Sequence, residues 1–290
     1  FKMAGYVRRY NPDVVISFLP SVNKTMCLVR LLFKAKLIVS ERNNNTCITR
    51  GDKVQFNLYR MADAIVPNSN SQALFIRKNF PFLAGKVHPI INFVDVDRFT
   101  PAEDFVQNDT LRIVTVARYT QQKNVLTYLK AVRKAKDLGL NVHFDWYGDS
   151  SYGQESYWKT VQKKVSELHI QEIVAFYPST SDIIRKYQQC TVFCLPSNYE
   201  GFPNAICEAM SCGKPVVCSR VCDNVYIVKE NENGLFFDNT SVFDMADKLE
   251  YMVEQAPEQR SEWGVKSRQI AESLFSMNAF GSRYISLIEK

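Results

Sequence analysis

The sequence contains no stretch of roughly 18 to 20 consecutive apolar residues, the length that a membrane-spanning helix requires. It has only three histidines, His88, His143 and His169, and they lie far apart in the chain. Neither a Ser/His/Asp arrangement nor a metal-ligand cluster can be argued from them, so hydrolase chemistry has little support. Internal repeats and low-complexity segments are also lacking. The composition, 46% hydrophobic and 23% charged, is that of a globular protein.

Cysteine spacing excludes the common structural metal sites. None of the 8 cysteines forms a Cys-x2-Cys pair, and no histidine lies at zinc-finger spacing from one. Most of them lie inside apolar runs, as Cys194 and Cys218 do. We interpret them as small buried hydrophobic residues in a reducing cytosol. This predicts a cytoplasmic protein without a metal site.

Positive charge is concentrated in the first third of the chain. Residues 1–100 hold 15 Lys and Arg against 6 Asp and Glu, whereas the remaining residues are slightly acidic. A solvated basic surface explains this distribution, as does binding to an anionic acceptor or peripheral binding to the anionic inner face of a membrane. We expect no nucleic-acid partner, because no helix-turn-helix, zinc-finger or aromatic-interleaved motif accompanies the charge.

Apolar strand-like runs alternate with helical stretches in two series. The first series predicts helices at 1–10, 26–32 and 53–61 and strands at 14–18, 37–40 and 64–67. A break at 90–101 and a polar boundary up to residue 109 follow. The second series predicts strands at 111–116, 142–147, 173–177, 191–195 and 215–219, with helices at 124–138, 157–168, 182–188 and 203–211.

The runs lack the alternating polarity of half-exposed strands, so they predict parallel sheets with helices on both faces. The expected fold is α/β, with two Rossmann-like doubly wound domains. The first domain is expected to be truncated at its N-terminus, because its opening strands would precede Phe1.

Ligands of open parallel sheets bind beyond the carboxyl ends of the strands. The loop after the 191–195 strand carries Glu200 and Gly201, and Pro203 then suits the first turn of a helix. Free amides at that helix start favour a phosphate or sugar oxygen. Glu208 follows about a turn and a half later. Taken alone, Glu200 could equally be a helix-stabilising charge and Glu208 a solvated helix position.

The loop after the 111–116 strand places two cations near the next helix. Arg118 and Lys123 offer a guanidinium fork and a point charge, which together suit a diphosphate. Two ordinary surface cations are the alternative. A third loop, at 148–151, has a single glycine and is a weak signal.

In combination, these motifs resemble the retaining glycosyltransferases of GT-B family 4, in which two glutamates follow an E-x7-E pattern. The resemblance covers almost the whole chain and is carried by the segments Ala62-Asp63-Ala64-Ile65-Val66-Pro67-Asn68-Ser69, residues 91–99, Ala117-Arg118 through Lys123, Leu195-Pro196-Ser197, Glu200-Gly201-Phe202-Pro203, Glu208-Ala209-Met210, Gly213-Lys214-Pro215-Val216-Val217 and Asn233-Gly234-Leu235-Phe236.

The resemblance implies a role for each matching residue. Arg118 and Lys123 would neutralise the departing diphosphate, and Glu208 would accept hydrogen bonds from the ribose. Glu200 and the amides of Gly201, Phe202 and Asn204 would hold the donor sugar and the distal phosphate. The base would lie near Tyr177 and Ser179. No metal and no cofactor beyond the UDP- or GDP-linked sugar would be needed.

The resemblance also implies a domain organisation. Residues 1–100 would form part of an acceptor-side domain, residues 101–274 the donor domain, and residues 275–290 a helix that crosses back to the first domain. Three departures bear on the donor sugar: Glu41-Arg42-Asn43 where many relatives have a His, Cys222-Asp223 in place of a Gly pair, and Gly148-Asp149-Ser150 without a second Gly.

The implied function is transfer of a sugar to a saccharide or polyprenyl-linked saccharide in the synthesis of a surface polysaccharide such as a capsule. We expect this chain by itself to be weakly active or inactive, because the acceptor-binding elements would lie before Phe1. Two alternatives are a sugar-nucleotide epimerase of the same fold and a non-catalytic nucleotide-sugar-binding protein. An epimerase would need other carboxylates and histidines, and a binding protein would be expected to have lost the donor residues.

Overall fold

A computed structural model describes residues 2–45, 47–103, 110–150 and 155–289. The chain divides into two compact units, residues 1–92 with 278–290 and residues 93–277. Residues 104–109 of the predicted boundary and Ser151 of the weak third loop lie outside the described residues. The strands are β1 Val14–Ser17, β2 Lys36–Glu41, β3 Ala64–Pro67, β4 Leu111–Val116, β5 Val142–Tyr147, β6 Val174–Tyr177, β7 Val192–Leu195, β8 Val216–Ser219 and β9 Gly234–Phe237. The helices are α1 Lys2–Tyr10, α2 Pro20–Leu28, α3 Arg50–Leu58, α4 Asn70–Asn79, α5 Val125–Asp137, α6 Glu155–Glu167, α7 Ile183–Gln189, α8 Asn204–Ser211, α9 Asn224–Ile227, α10 Val242–Glu254, α11 Pro257–Phe275 and α12 Met277–Ile288.

The first unit is built on a parallel sheet in the order β1-β2-β3. One face buries Leu37, Val39 and Ile65 against α2, α3 and their flanking turns. The other face buries Ile38, Ala64 and Val66 against Tyr284 and Leu287 of α12. Both faces are therefore covered, which explains why these strands are continuously apolar in the sequence.

Two helices of this unit start earlier than predicted. The helix expected at 26–32 begins at Pro20, because proline loses no hydrogen bond in a first turn, and it ends at Leu28. Residues 30–32 form a separate 3-10 turn. The helix expected at 53 begins at Arg50, because Thr49 and Asp52 form a capping box in which each side chain accepts the other's backbone N–H.

Glu41, one of the sequence departures, is fully buried at the end of β2. Its carboxylate accepts hydrogen bonds from Gln55 Nε2 at 2.7 Å, Tyr59 Oη at 2.9 Å and the Asn43 amide at 3.2 Å. Burial raises the pKa of Glu41. The residue is thus the centre of an internal polar network of the first unit.

The second unit contains six parallel strands in the order β6-β5-β4-β7-β8-β9. Sequential strands run outward from β4 to β5 and β6 in one direction, and from β7 to β8 and β9 in the other. The order reverses between β4 and β7, which makes the crevice between their carboxyl ends the topological switch point. The predicted α/β fold with parallel sheets is confirmed.

Helix α5 shows how the core of this unit forms. Val125, Tyr128, Leu129 and Val132 are buried at the spacing of one helix face. The Tyr128 ring lies edge-on to Trp146 of β5 at 5.2 Å between ring centroids. This packing fixes β5, and hence β4 beside it, from the face opposite α8.

Helix α8 carries the predicted donor residues, and its C-terminal end is held by α11. Gly213, with φ of +68°, ends the helix in the left-handed conformation that glycine adopts at little cost. Arg268 of α11 donates hydrogen bonds to the carbonyls of Ser211 at 2.7 Å, Phe99 at 2.7 Å and Val96 at 2.9 Å. One guanidinium therefore ties the end of α8 to the linker before β4.

The close approach of α11 to α8 generates a stability prediction. A Cβ atom at Gly264 would lie 2.4 Å from the carbonyl oxygen of Gly213, which is backbone and cannot move aside cheaply. Gly264→Ala should therefore lower the free energy of unfolding by about 1–3 kcal/mol relative to Ser261→Ala, an exposed position of the same helix. Urea titration followed by tryptophan fluorescence measures both, since all three tryptophans lie in this unit. Equal stability of the two variants would contradict the proposed packing constraint.

Candidate functional site

The loops after β4 and β7 meet at the switch point and bring two predicted residues into contact. Lys123 Nζ lies 2.6 Å from Glu200 Oε1, and the two side chains are only 15% and 6% exposed. Ser197 Oγ donates a second hydrogen bond to the same carboxylate oxygen. The two residues are 77 positions apart in the chain, so the sequence alone did not show that they pair.

Because the ion pair is largely buried, its stability depends on the hydrogen bonds that neighbouring groups donate to it. Two charges removed from water lose hydration that their mutual attraction only partly restores, so further hydrogen bonds are needed. Ser197 supplies one of them. The pair holds an ammonium group, nearly excluded from water, at the edge of the sheet where ligands of such folds bind.

Glu208 lies in the second turn of α8, half-buried, in a different environment. Tyr187 of α7 donates a hydrogen bond from Oη to Glu208 Oε2 at 2.8 Å. Burial raises the pKa of Glu208, which the hydrogen bond from Tyr187 partly offsets. Sequence analysis missed Tyr187, because nothing in its surroundings marks it apart from core tyrosines.

Tyr177 and Ser179, expected near the base, lie at the end of β6 and in the loop beyond it. Tyr177 is 38% exposed, and its ring stacks on Tyr147 of β5 at 4.8 Å between centroids. Asp149 accepts hydrogen bonds from both the backbone N–H and the hydroxyl of Ser179. Sequence analysis missed Tyr147 and treated Asp149 only as part of a weak motif. Tyr147 could have been predicted from the parallel register of β5 and β6, which pairs it with Tyr177.

The other candidate residues between β7 and the start of α8 differ in how deeply they are buried. Gly201 is half-buried, directly after Glu200. The Phe202 ring is buried and lies edge-on to Phe275 at 6.1 Å, so its side chain is part of the core. The amide of Asn204, the first residue of α8, donates to the Phe202 carbonyl at 3.0 Å. Phosphate binding by these amides stays a prediction.

Cys222 adjoins the same loop from the end of β8. It has φ of +45°, an uncommon conformation for a residue other than glycine, and the Glu200 amide donates to its Sγ at 3.4 Å. Cys222, at a position where the resemblance led us to expect glycine, thus places a thiol beside Glu200. Arg118, by contrast, is exposed in the loop after β4, and its predicted contact with a diphosphate stays a prediction.

Among the described residues, no group of three or more His, Cys, Asp and Glu is arranged to hold a metal ion. Asp95 and Asp97 have Asp-x-Asp spacing, but Asp95 accepts a hydrogen bond from the Arg98 amide at 3.1 Å within a turn. All eight cysteines are free, and six of them are buried. Of the helices in the described part of the chain, none has the length and apolar character needed to cross a membrane.

A cavity of about 700 Å³ lies at the opposite edge of the sheet. Its lining includes Leu111, Thr191 and Pro215, which lie at the amino ends of β4, β7 and β8. None of the candidate donor residues contributes to it. The candidate site therefore rests on the carboxyl edge, where the charged residues converge.

The buried carboxyl of Glu208 generates a pH prediction. Its pKa is raised in the folded state, so its favourable contribution is present at acidic pH and is lost as pH rises through the folded-state pKa. Glu208→Gln keeps an acceptor for Tyr187 without a charge, and should be more stable than the unaltered protein at about pH 7. The difference should shrink towards about pH 4. Urea titrations at both pH values measure it, with the exposed Glu262→Gln as control, and a pH-independent difference would contradict the interpretation.

Comparison with known proteins gives several matches. Residues 98–270 match the family described as glycosyl transferases group 1. The D-inositol 3-phosphate glycosyltransferase of Thermobifida fusca is 24% identical over 231 residues, 75% of this chain and 53% of its own. An α-1,4-N-acetyl-D-galactosaminyltransferase of Campylobacter jejuni, whose name specifies a saccharide linked to PP-undecaprenol, is 25% identical over 263 residues, 87% of this chain and 68% of its own.

A solved structure matches the whole chain. The Anabaena protein HepE, crystallised with UDP and glucose, superimposes with a TM-score of 0.87 at 16% identity, over 100% of this chain and 81% of its own. This likeness shows the GT-B fold. The chain spans about half the length of several curated relatives that it matches. Since the family match covers more than half of the sequence, the chain belongs to the glycosyl transferases of group 1.

Proposed function

We propose that this glycosyltransferase is a retaining enzyme that takes a sugar from a UDP- or GDP-linked donor without a metal ion or cofactor. The acceptor is a saccharide or a polyprenyl-linked saccharide in the synthesis of a surface polysaccharide such as a capsule. The observation that carries the proposal is the contact between Lys123 and Glu200 at the switch point.

The chemistry follows from where charge develops. The bond between the anomeric carbon and the diphosphate breaks, and negative charge grows on the departing phosphate oxygen. Lys123 is a largely buried cation in contact with Glu200, and Arg118 adds an exposed one in the same loop. Fixed cations aimed at a developing charge stabilise the transition state more than the ground state. They also supply the positive charge that a divalent ion would otherwise provide.

Retention of configuration requires the acceptor to enter on the face that the diphosphate leaves. In the proposed reaction the acceptor oxygen bonds to the anomeric carbon through an oxocarbenium-like state, and its proton passes to the departing diphosphate. Glu200 is committed to Lys123 and Ser197, which supports a role in holding the donor over a role as a nucleophile.

Binding of the nucleoside is assigned to the residues around α8 and β6. Glu208 would accept hydrogen bonds from the ribose hydroxyls. These would replace hydrogen bonds to water that its carboxylate loses through half-burial. The stacked rings of Tyr147 and Tyr177 offer a flat apolar surface beside Ser179, which suits a base. The lipid-linked acceptor is supported by the name of the Campylobacter jejuni relative.

The proposed roles predict different effects of two substitutions. Glu208→Ala should weaken UDP or GDP binding by about 1.5–3 kcal/mol, because it removes a charged hydrogen-bond acceptor. Lys123→Ala should depress turnover most, because its partner charge grows as the bond breaks. Calorimetry measures the first effect and donor turnover, with and without a chelator, measures the second. Because Lys123→Ala removes the cation that compensates the Glu200 carboxylate, Lys123→Met/Glu200→Gln serves as the matched control for folding.

Three outcomes would count against the proposal. Unchanged affinity of Glu208→Ala for both nucleotides would exclude the ribose contact. Tight nucleotide binding without any transfer, in a version that includes the acceptor-binding elements expected before Phe1, would instead favour a non-catalytic binding protein. Interconversion of the donor sugar would favour an epimerase.

We also propose that the basic first 100 residues hold the enzyme at an anionic membrane face. Lys2 and Arg9 are exposed on α1, and each basic residue near an anionic surface contributes about 1 kcal/mol. Lys2→Glu/Arg9→Glu should therefore lower binding to phosphatidylglycerol vesicles more than tenfold in a flotation assay. The matched reversal Lys159→Glu/Lys163→Glu on α6 should not, and equal loss in both variants would contradict the assignment to the first unit.

A further inference from the structure

Asn198 joins the two loops that carry the ion pair, although it is an exposed residue that the chemistry itself does not use. Its backbone amide donates to the Gln122 carbonyl at 2.8 Å, and its side-chain Nδ2 donates to the Gln121 carbonyl at 2.9 Å. Gln122 Nε2 donates in return to the Tyr199 carbonyl at 3.0 Å. Three hydrogen bonds therefore cross between the residues just before Lys123 and those just before Glu200.

A third loop completes this arrangement. Asn239, just after β9, donates from Nδ2 to Asn198 Oδ1 at 3.0 Å. Asn124, the residue after Lys123, donates from Nδ2 to the Asn239 carbonyl at 2.7 Å. Asn124 also has φ of +56°, a left-handed conformation that asparagine tolerates better than most residues. Lys123 is thus held on both sides along the chain.

The geometry has a physical consequence for the ammonium group. A lysine side chain has several rotatable bonds, so its position depends on how firmly its backbone is fixed. The Lys123 backbone lies in a short 3-10 turn, Gln121–Lys123, without a side-chain cap of its own. The asparagine contacts supply the fixation that the turn lacks.

We propose that Asn198, supported by Asn239, is a positioning residue that places Lys123 for the distal phosphate of a nucleoside diphosphate. This inference rests on the proposed function, because it assumes that Lys123 meets a diphosphate. It assigns to Asn198 the discrimination between a nucleoside diphosphate and the corresponding monophosphate. The base and ribose contacts, which both nucleotides share, are assigned to other residues, Glu208 of α8 and the Tyr147–Tyr177 stack beside Ser179.

Titration calorimetry with UMP, UDP, GMP and GDP tests the proposal on the 290-residue chain. Depending on which base the protein accepts, the unaltered protein should bind UDP more tightly than UMP, or GDP more tightly than GMP. Asn198→Ala should reduce that ratio about threefold to tenfold, while affinity for the monophosphate changes less than about twofold. Asn239→Ala removes only the contact to Asn198, so a smaller reduction in the same direction is expected and serves if Asn198→Ala folds poorly.

A double-variant cycle separates positioning from general loosening of the structure. Lys123→Met should abolish most of the preference for the diphosphate, and adding Asn198→Ala to it should change the ratio no further. Asn141→Ala, an exposed asparagine at the amino end of β5 that contacts Thr110, is the matched control and should leave the ratio unchanged.

The outcomes distinguish the inference from the function on which it rests. If the unaltered protein prefers the diphosphate and Asn198→Ala keeps the full ratio, or weakens both nucleotides equally, the positioning role is wrong and the proposed function stands. Further loss of the ratio in the double variant would also overturn it. Failure of the unaltered protein to bind any of the four nucleotides would overturn the proposed function and the inference together.

Discussion

The buried ion pair between Lys123 and Glu200 depends on the sheet order more than on any local feature. Its two loops follow β4 and β7, which are neighbours in space although three crossovers separate them in the chain. Neither charge would be tolerated at such low exposure without the other, because an unpaired buried charge loses its hydration with no compensation. The strand order brings the two loops together, and the Ser197 hydrogen bond adds a further donor to the shared carboxylate.

In the proposed function, the pair gives Lys123 an anionic partner that an incoming phosphate can replace. A diphosphate approaching Lys123 offers the ammonium a second anionic partner, while Glu200 retains the Ser197 hydroxyl as donor. Exchange of one anionic partner for another costs less than exposing and burying a lone cation. In this proposal the glutamate keeps the cation in place and largely shielded from water until a phosphate binds, which is compatible with later contact between Glu200 and the donor sugar.

Much of the fold could be predicted because its strands are buried on both faces and are therefore continuously apolar. Lys123, Glu200 and Glu208 could be selected because each follows a strand end in a pattern that a family shares. Their partners Tyr187 and Ser197 could not be selected from the sequence. Both are ordinary residue types, and their positions depend on strand register and helix packing. The starts of two helices were predicted wrongly from apolar periodicity. Pro20 and the Thr49–Asp52 capping box start α2 and α3 earlier than their apolar residues indicate.

The two glutamates of the E-x7-E pattern differ in how their charge is compensated, and this difference separates their roles. Glu200 has a cation and a hydroxyl within hydrogen-bond reach, so two donors from the protein already contact its carboxylate. Among the described residues Glu208 has no ion pair, and its one direct hydrogen bond comes from Tyr187, so burial disfavours its charge. A carboxylate left short of donors binds ligand hydroxyls more strongly than one already satisfied, because the ligand restores what folding removed. The environment of Glu208 therefore suits a neutral polyol such as ribose, and that of Glu200 suits the neighbourhood of a phosphate.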